Sequence, residues 1–477
     1  MIWLTGALGA LLRVLYFATD RSLWSGEWSS IEFSSGSPAG IARALADDVH
    51  PPLYFLTLHL FEKVFGSFDW VYRLPSLIAG LAALAAVYLL ARELFDRRIA
   101  RRGLLLLALS PYAIHQSVEI RGHGWLIALC SLGTWCWLKL RRQPSAGFGL
   151  GFLACAGAAL YTVHFAWFWL AAITLWQAMN PRKSGLWLAG ALAAGSPALA
   201  LLVRQSLMHG EWTGGWADLG MNAGSWLAAV GAVFWHPIAG PYFDIRSGER
   251  LTVFASSSIF FWVTLIVALW AWACAAGLWS KLRQKNPPRA ALFFALIVLP
   301  VLTVGFINPT RLDTRYFGFA LPFTLILLSA GLERHRPLMR AVFIGAYAAV
   351  SLGSFIWMCR LETDPYFREN DRAMMAYALT NAGPRDAVND SQMLRYYMRT
   401  RGWTSRAAFV DDGFPEGAGE VFEKVWLLDG QPFDSHAFAP FIEQMRLAGY
   451  EPDGSELVFG SPESRAILNL FKRSSQP

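Results

Sequence analysis

Four short clusters of polar residues stand out in an otherwise apolar chain. The clusters are Glu27 with His50, then 117–123, 161–164 and 308–316. A carboxylate can act as a general base on a hydroxyl group, whereas arginine and histidine side chains can bind a phosphate and neutralise its charge as it leaves. Together the clusters predict group transfer from a phosphate-linked lipid. Each cluster by itself also fits simple anchoring at a membrane interface.

The first cluster lies in a polar stretch at residues 23–52 that ends with His50-Pro51-Pro52. This stretch directly follows the first apolar segment of the chain. Ionisable groups at membrane depth are costly and tend to mark function. We interpret the stretch as one wall of an active site at a membrane surface.

The composition indicates an all-α polytopic membrane protein. Hydrophobic residues make up 55% of the 477 residues and charged residues 16%, compared with about 25% charged residues in soluble domains. Apolar runs of about 20 residues, long enough to cross a bilayer, recur before residue 360. We predict eleven spans, at 2–19, 73–92, 103–118, 123–139, 147–160, 162–179, 185–203, 252–280, 290–307, 316–333 and 339–359.

Basic residues determine the predicted orientation. The loops rich in Lys or Arg are 92–102, 139–142, 182–183, 281–289 and 334–340. The positive-inside rule places such loops in the cytoplasm, which is consistent for all of them only if 147–179 is a hairpin of two short helices. The N-terminus is then cytoplasmic, and the large loops at 20–72 and 204–251 lie on the outer side with the polar clusters. Basic residues confined to short loops do not indicate nucleic-acid binding.

The composition changes after Cys359. Residues 360–477 contain 13 Lys or Arg and 18 Asp or Glu, a net charge of −5, although the whole chain has a charge of +7. We predict a membrane domain at 1–359 and a small soluble α/β domain at 360–477 on the extracytoplasmic side. The five cysteines lie in or at the end of apolar segments, and their spacing suggests neither disulfides nor a metal site.

The sequence also predicts helices and strands outside the spans. Helices are expected at 29–46, 53–65, 226–235, 362–381, 391–401 and 438–447. Strands are expected at 425–428, 456–459 and 466–471. Pro51 and Pro52 separate two segments, because proline is tolerated in the first turn of a helix but not in its interior. The helix that follows them is too short to span a membrane and is expected in the interface.

Six short motifs occur once each along the chain, and each lies at a predicted helix end. They are Leu23-Trp24-Ser25-Gly26-Glu27-Trp28-Ser29-Ser30, His50-Pro51-Pro52-Leu53-Tyr54, Arg73-Leu74-Pro75-Ser76, Leu109-Ser110-Pro111, Gln116-Ser117-Val118-Glu119-Ile120-Arg121 and Arg315-Tyr316 with Pro322. In this order they resemble the GT-C glycosyltransferases of the protein-mannosyltransferase type. That group includes the bacterial aminoarabinose transferase and the Rgt-type galacturonic-acid transferases. One piece alone is weak, but six in order are fairly specific, and the resemblance covers residues 1–359.

The resemblance implies an inverting transfer of a sugar from a polyprenyl-phosphate donor at the outer face of a membrane, to a lipid, glycan or protein acceptor. It implies Glu27 as the base or an acceptor ligand and Glu119 as a second catalytic carboxylate. The residues implied near the donor phosphate are His50, Arg73, Arg121, Arg315 and Tyr316. A lipid carrier at an outer face suits a bacterial inner membrane. No cofactor is implied; metal use varies within the superfamily, and no spacing here supports a metal site.

One position departs from the family pattern. Gly26 replaces the aspartate most often considered catalytic in the family, so Glu27 alone remains of an acidic pair. Glu32, Asp48 or Glu119 could take over its role, or the activity could be altered or lost. A flippase or transporter of a lipid-linked substrate is an alternative, but it predicts broken mid-membrane helices and inverted repeats, which the sequence does not show. A non-catalytic scaffold with the same fold is a third reading, motivated by Gly26.

Overall fold

The computed structural model describes a chain that divides into two compact units. The residues described are 2–19, 21–209, 230–231, 233–234, 258–307, 314–362, 371–389, 392–410, 422–428, 450–461 and 464–473. The first unit comprises Met1–Ala18, Ile31–Gly66 and Trp70–Met358. The second comprises Thr19–Ser30, Ser67–Asp69 and Cys359–Pro477. Two short segments from the N-terminal part of the chain therefore belong with the C-terminal region.

The first unit is built from helices, of which α2, α5 and α16 each have one end in the second unit. They are α1 (Ile2–Phe17), α2 (Ser25–Ser34), α3 (Pro38–Ala46), α4 (Leu53–Phe65), α5 (Asp69–Leu94), α6 (Arg97–Leu109), α7 (Pro111–Gln116), α8 (His123–Arg142), α9 (Ala146–Leu160), α10 (Ala166–Met179), α11 (Gly185–His209), α12 (Ser258–Lys285), α13 (Pro287–Ile297), α14 (Leu299–Ile307), α15 (Leu321–Leu332) and α16 (Pro337–Glu362). A 3₁₀ turn at Thr314–Phe317 precedes α15.

Five segments within the described residues are long and apolar enough to cross a membrane. They are Asp69–Leu94, Gly185–Met208, Leu265–Lys285, Pro287–Ile307 and Pro337–Arg360. The helices α1, α9, α10 and α15 are also apolar but shorter. The predicted fold class, a helical membrane protein with a small C-terminal sheet, is confirmed, while the number of eleven spans stays a prediction.

Local capping explains where the helices differ from the predicted bounds. The single helix predicted at 29–46 is wrong, because the hydroxyl of Ser37 accepts a hydrogen bond from Gly40 N at 3.2 Å and Pro38 begins a new helix, α3. The span predicted at 103–118 breaks at Ser110 for the same reason, with Pro111 in the first turn of α7. Serine at the N-cap followed by proline at the first helical position is a strong start signal.

The hairpin that the charge pattern required is present as α9 and α10, separated by residues 161–165. The helix α8 packs against both, and α11 packs against α9. Elsewhere α6 lies between α1 and α15, and α12 contacts α13 and α15. Arg13 of α1 is fully buried and donates hydrogen bonds to the carbonyl oxygens of Gly9 at 2.9 Å and Leu107 at 3.2 Å. This cation thereby joins α1 to α6.

The C-terminal part of the second unit forms a five-stranded mixed sheet with helices. Its elements are α17 (Asp371–Asn381), β1 (Asp386–Asn389), α18 (Gln392–Arg401), β2 (Ala408–Val410), β3 (Lys424–Leu428), β4 (Tyr450–Ser461) and β5 (Ser464–Arg473). The strand order is β2-β1-β3-β5-β4. β1 is parallel to β2 and β3, and β5 is antiparallel to β3 and β4. The helix α18 provides the crossover that two parallel neighbours, β1 and β2, require.

The strands predicted at 425–428, 456–459 and 466–471 fall within β3, β4 and β5, and the helix predicted at 391–401 is α18. The strands β1 and β2 were missed, since runs of four and three residues are too short to show an alternating pattern. Residues 363–370 of one predicted helix, all of 438–447 and most of 226–235 lie outside the described residues.

The N-terminal segments of the second unit are held to α18 by hydrogen bonds. The hydroxyl of Tyr397 accepts from Leu23 N at 3.1 Å. The hydroxyl of Tyr396 donates to Asp69 at 2.5 Å, and Arg401 pairs with the other oxygen of that carboxylate at 3.3 Å. Tyr396 and Tyr397 are both buried, so these aromatic residues serve as packing and anchoring groups within the unit.

Candidate active site

Tyr54, in the first turn of α4, connects three segments of the first unit. Its hydroxyl lies 2.9 Å from the hydroxyl of Ser76 in α5 and 3.5 Å from the carbonyl oxygen of Glu119. The neighbouring Leu53 N donates to the carbonyl oxygen of Tyr161, in the hairpin turn, at 2.9 Å. The residues after His50-Pro51-Pro52 therefore meet the Arg73–Ser76 turn of α5, the 117–123 segment and the hairpin turn in one region.

Two glycines allow the 117–123 segment to sit close to its neighbours. A Cβ atom on Gly124 would lie 2.1 Å from the carbonyl oxygen of Gln116 and 3.0 Å from its carbonyl carbon. A Cβ atom on Gly80 of α5 would lie 2.1 Å from the Cβ of Ser117. Neither distance is compatible with a side chain. Glycine at these positions thus fixes how closely α7, α5 and the start of α8 approach one another.

A buried imidazole–carboxylate pair occupies this segment. His115 Nε2 lies 3.1 Å from Glu119 Oε1, and their side chains are only 4% and 5% exposed. The two residues are four positions apart, and the turn that separates them follows α7 closely. A carboxylate beside an imidazole can accept a proton and share it, which suits general-base chemistry.

Basic side chains converge near the first residue of α8. Arg315, Arg121 and His50 lie within electrostatic range of the buried imidazole of His123. We call these four residues the basic cluster. They come from three separate parts of the chain, and three of them, Arg315, Arg121 and His50, were predicted to lie near a donor phosphate. Arginine can bind phosphate oxygens with two parallel hydrogen bonds, so the cluster is suited to an anion.

Aromatic rings form a wall beside the basic cluster. The ring of Tyr316 stacks on Phe165 at 4.8 Å with an interplanar angle of 15°. It also meets the ring of His123 edge-on at 5.1 Å, and the guanidinium of Arg315 lies 5.3 Å from its centre. These contacts hold the 3₁₀ turn, and with it Arg315, against the hairpin turn and α8.

Hydrogen bonds tie His164, at the tip of the hairpin, to two other elements. His164 Nε2 lies 2.7 Å from Gln205 Oε1 of α11, and Gln205 Nε2 donates to the carbonyl oxygen of Leu45 at 2.7 Å. His164 and Gln205 are buried. The sequence singled out His164 but not Gln205, and the contact indicates a positioning role for both.

His50 is paired with a carboxylate that the sequence offered only as an alternative. Its Nδ1 lies 2.6 Å from Asp48 Oδ2, and both side chains are about one quarter exposed, at 30% and 25%. Burial acts to raise the pKa of Asp48, but the hydrogen bond and charge of His50, with hydrogen bonds from the backbone at Val49 and His50, lower it below its ordinary value. Asp48 thereby orients the imidazole of His50, which is one member of the basic cluster.

We expect Asp48→Asn to lower the apparent melting temperature at neutral pH and to have little effect in acid. The folded-state pKa of Asp48 is lowered, so its contribution is present above the ordinary aspartate pKa of about 3.9 and is lost as the pH falls through the folded value. Because the pair is partly exposed, the contribution is about 1 kcal/mol or less. Thermal unfolding of the detergent-solubilised protein between pH 3 and pH 7 measures it.

Asp47→Asn is the matched control for that experiment. Asp47 pairs with Arg204 at 2.6 Å, but these side chains are 59% and 56% exposed, so the loss should be smaller. Equal losses with equal pH dependence in the two variants would contradict a specific contribution from Asp48.

Glu27 lies in the second unit, in the first turn of α2. Its Oε1 is 3.4 Å from Arg21 Nη2, and both side chains are 1% exposed. Ser30 Oγ donates to the carbonyl oxygen of Gly26 at 3.2 Å. Arg21 was missed by the sequence reasoning, although a basic residue six positions before a buried carboxylate was a visible signal.

The other predicted residues lie in the first unit. Arg73 is buried in α5, three positions before Ser76 and hence on the same helix face. Arg121, Arg315 and Tyr316 are partly exposed, and the ring of Tyr316 contacts the guanidinium of Arg315. His115 was missed, and its four-residue spacing from Glu119 could have revealed it. Among the described residues, no group of three His, Cys, Asp or Glu side chains is arranged to hold a metal ion.

Comparisons with known proteins agree with this architecture. Residues 49–205 match the family described as dolichyl-phosphate-mannose-protein mannosyltransferase. The crystal structure of ArnT from Cupriavidus metallidurans in the apo state is similar over 98% of this chain and 97% of that chain, with 14% identity and a TM-score of 0.53. The same protein bound to undecaprenyl phosphate is similar over the same shares of the two chains, with 15% identity and a TM-score of 0.52.

A third structure is the archaeal oligosaccharyltransferase AglB from Archaeoglobus fulgidus, in complex with an inhibitory peptide and a dolichol-phosphate. It is similar over 100% of this chain and 74% of that chain, with 10% identity and a TM-score of 0.53. A search of curated proteins finds no match to this chain. The resemblance seen in the sequence is thus confirmed at the level of the fold, and the chain is an integral membrane protein with the architecture of the GT-C superfamily of membrane glycosyltransferases.

Proposed function

We propose that this protein transfers a sugar from a polyprenyl-phosphate donor to a lipid, glycan or protein acceptor, with inversion at the anomeric carbon. The observation that carries the proposal is the basic cluster, in which Arg315, Arg121 and His50 lie within electrostatic range of His123. The buried pair of Glu119 and His115 belongs to the same segment, with Glu119 two residues before Arg121. The similar ArnT structure is bound to undecaprenyl phosphate, and the similar AglB structure to a dolichol-phosphate. Those ligands belong to those proteins, and they supply the donor class proposed for this one.

The basic cluster would bind the donor phosphate. Arg121 and Arg315 offer planar guanidinium groups for its oxygens, Arg73 supplies a further positive charge, and His50 offers a ring nitrogen for a hydrogen bond. As the sugar leaves, negative charge accumulates on the phosphate oxygen that was bonded to it. Cations fixed in advance at that position stabilise the transition state more than the ground state. Tyr316 would keep Arg315 aimed at the phosphate through its ring contact.

The pair of Glu119 and His115 would accept the proton. The acceptor hydroxyl oxygen attacks the anomeric carbon, and the bond from that carbon to the phosphate oxygen breaks. The hydroxyl proton passes to Glu119, and polyprenyl phosphate leaves. A single displacement of this kind inverts the anomeric centre. Glu27 is the alternative base. It ranks second because one of its oxygens is already paired with Arg21 at 3.4 Å.

We place this site on the extracytoplasmic side of a bacterial inner membrane. Support comes from the basic loops, which the positive-inside rule assigns to the cytoplasm, and from the α9–α10 hairpin that the assignment required. On this reading the N-terminus is cytoplasmic and the C-terminal domain at 360–477 is outside. The proposal names a class of sugar donor and a class of acceptor. The assay below identifies which sugar and which acceptor are used.

The test is an assay with the purified full-length protein in vesicles. Radiolabelled polyprenyl-phosphate sugars would be supplied with membrane acceptors, and labelled product and lipid position would both be followed. Transfer that depends on the basic cluster supports the proposal. Movement of lipid-linked sugar across the vesicle without bond cleavage would instead indicate a flippase. Donor binding without transfer from any donor would indicate a non-catalytic scaffold.

We expect Arg315→Gln to weaken the binding of undecaprenyl phosphate about 10-fold to 150-fold, which corresponds to one charged hydrogen bond worth about 1.5–3 kcal/mol. Equilibrium binding of radiolabelled undecaprenyl phosphate measures it. Arg204→Gln is the control, because Arg204 is an exposed arginine of the same unit that pairs with Asp47. Equal weakening in the two variants would remove Arg315 from the phosphate site.

A further inference from the structure

The first unit also has an apolar groove with arginines at one end. It lies near the turn between two segments long enough to span a membrane, Leu265–Lys285 and Pro287–Ile307. Here α12, α13 and α15 enclose a groove with a volume of about 200 Å³. Its lining includes Trp272, Ala276, Trp279, Phe293, Phe294 and Leu327. Every lining surface is apolar, and the groove takes no part in the proposed transfer.

The groove is open on one side. Ala276 and Phe294 are exposed at its mouth, whereas Phe293 is buried at its base. Sites for drug-sized molecules have volumes of about 300–1,000 Å³, so this smaller groove fits part of an extended chain better than a compact ligand. In a membrane protein, an apolar groove open along two spanning helices faces acyl chains.

Two arginines contact aromatic rings at or next to the wall of the groove. The guanidinium of Arg283 lies 5.6 Å from the ring centre of Trp279. The guanidinium of Arg289 lies 5.7 Å from the ring centre of Phe95, which in turn lies 6.2 Å from the ring of Phe293. The buried Nε of Arg289 has no hydrogen-bond partner among the described residues. Positive charge is therefore present near the turn at one end of the groove, with Arg283 at the end of α12 and Arg289 at the start of α13.

The walls are fixed in place where the helices turn. Trp279 Nε1 donates to the carbonyl oxygen of Ala290 at 3.2 Å, and Asn286 caps α13 by accepting from Arg289 N at 3.3 Å. Tryptophan and arginine near helix ends are typical of the membrane interface, where lipid phosphates lie. An acyl chain in the groove would thus place its phosphate at the level of Arg283 and Arg289.

We propose that this groove binds a membrane phospholipid with an anionic head group, with one acyl chain against Trp279 and Phe293 and the phosphate between Arg283 and Arg289. The occupant follows from complementarity, since an apolar channel that ends between two cations matches an acyl chain that ends in an anion. The site is separate from the basic cluster and belongs to the leaflet on the side of the 281–289 loop. It is independent of the proposed transfer reaction.

The test uses the full-length protein in detergent micelles with added phosphatidylglycerol or phosphatidylcholine. Native mass spectrometry counts retained lipids, and a titration gives the affinity. We expect phosphatidylglycerol to be retained in preference to phosphatidylcholine. The double variant Arg283→Gln/Arg289→Gln should weaken phosphatidylglycerol binding about tenfold or more, as two charges at a head group imply. Arg97→Gln/Arg98→Gln removes two exposed charges at the start of α6 and should bind like the wild type.

A second variant, Ala276→Trp, tests the groove itself without changing any charge. A bulky ring at the mouth of the groove should block the acyl chain and lower phosphatidylglycerol retention. Equal binding of the two lipids, or normal retention when both the arginine pair and Ala276 are changed, would overturn the proposal. Displacement of phosphatidylglycerol by undecaprenyl phosphate in the wild type, with loss of that displacement in Arg283→Gln/Arg289→Gln, would assign the groove to a polyprenyl phosphate and would also overturn it.

Discussion

We expect the Glu119→Gln variant to transfer sugar about 10²-fold to 10⁴-fold more slowly than the wild type at saturating donor, the usual contribution of a positioned acid–base group. Glu119 is buried and lies 3.1 Å from His115, so the amide keeps the shape of the side chain while removing its capacity to accept a proton. Donor binding depends on the basic cluster and should stay close to the wild-type value. Initial rates at varied donor concentration, with the dissociation constant of undecaprenyl phosphate, separate the two effects.

Glu93→Gln is the matched control for Glu119→Gln. The Glu93 carboxylate is 7% exposed and pairs with Lys139 at 3.0 Å and with Arg142. It lies twenty residues after Arg73 in α5, about 30 Å along the helix. This variant should lose stability but retain its turnover. An equal loss of turnover in both variants would trace the effect to folding.

Glu27→Gln decides between the two carboxylates that the sequence proposed. Full loss of transfer in Glu27→Gln, with an active Glu119→Gln variant, would return the base role to Glu27. The reverse result supports Glu119, in keeping with the exchange of the family aspartate for Gly26.

The second large effect is expected from Gly124→Ala. The added methyl group would lie 2.1 Å from the carbonyl oxygen of Gln116, and a backbone group cannot turn aside as a side chain can. Overpacking of this kind costs about 1–3 kcal/mol or more. The start of α8 would be displaced, and with it His123 and the basic cluster. We therefore expect both a lower melting temperature and weaker binding of undecaprenyl phosphate.

Gly157→Ala tests whether this effect is specific to the position. Gly157 lies in α9, and a Cβ atom there would meet nothing within 4 Å. Alanine should stabilise that helix by about 0.5–1 kcal/mol, because glycine has more conformational freedom to lose on folding. If Gly124→Ala behaved like Gly157→Ala, the close approach at Gln116 would not be a constraint on the fold.

The apolar pattern predicted the positions of most helices because membrane-spanning segments require long uninterrupted hydrophobic runs. The Ser-Pro helix-start signals at Ser37 and Ser110 are present in the sequence. The predictions of a helix at 29–46 and a span at 103–118 gave more weight to the run of helix-compatible residues than to these signals, so both helix breaks were missed. The motif positions predicted that His50, Glu119 and Arg315 would lie at helix ends. Their convergence follows from helix packing, which no local pattern contains.

The partners of the candidate groups were harder to predict. His115 lies four residues from Glu119, and Asp48 lies two residues from His50, so these pairs had a local signal. The contact between Gln205 and His164 joins residues 41 positions apart. The contact between Tyr397 and Leu23 spans 374 positions. Pairings of that range are set by the tertiary structure alone.

That last contact has a consequence for biosynthesis. The segment at Thr19–Ser30 leaves the ribosome long before α18, to which it is bonded within the second unit. At translation rates of about 5–20 residues per second, the delay is roughly 20–75 seconds. Throughout that interval Glu27 and Arg21 lack their later surroundings. Completion of the segment that carries Glu27 is therefore timed by the end of translation, and a chain that stops before Tyr397 cannot complete it.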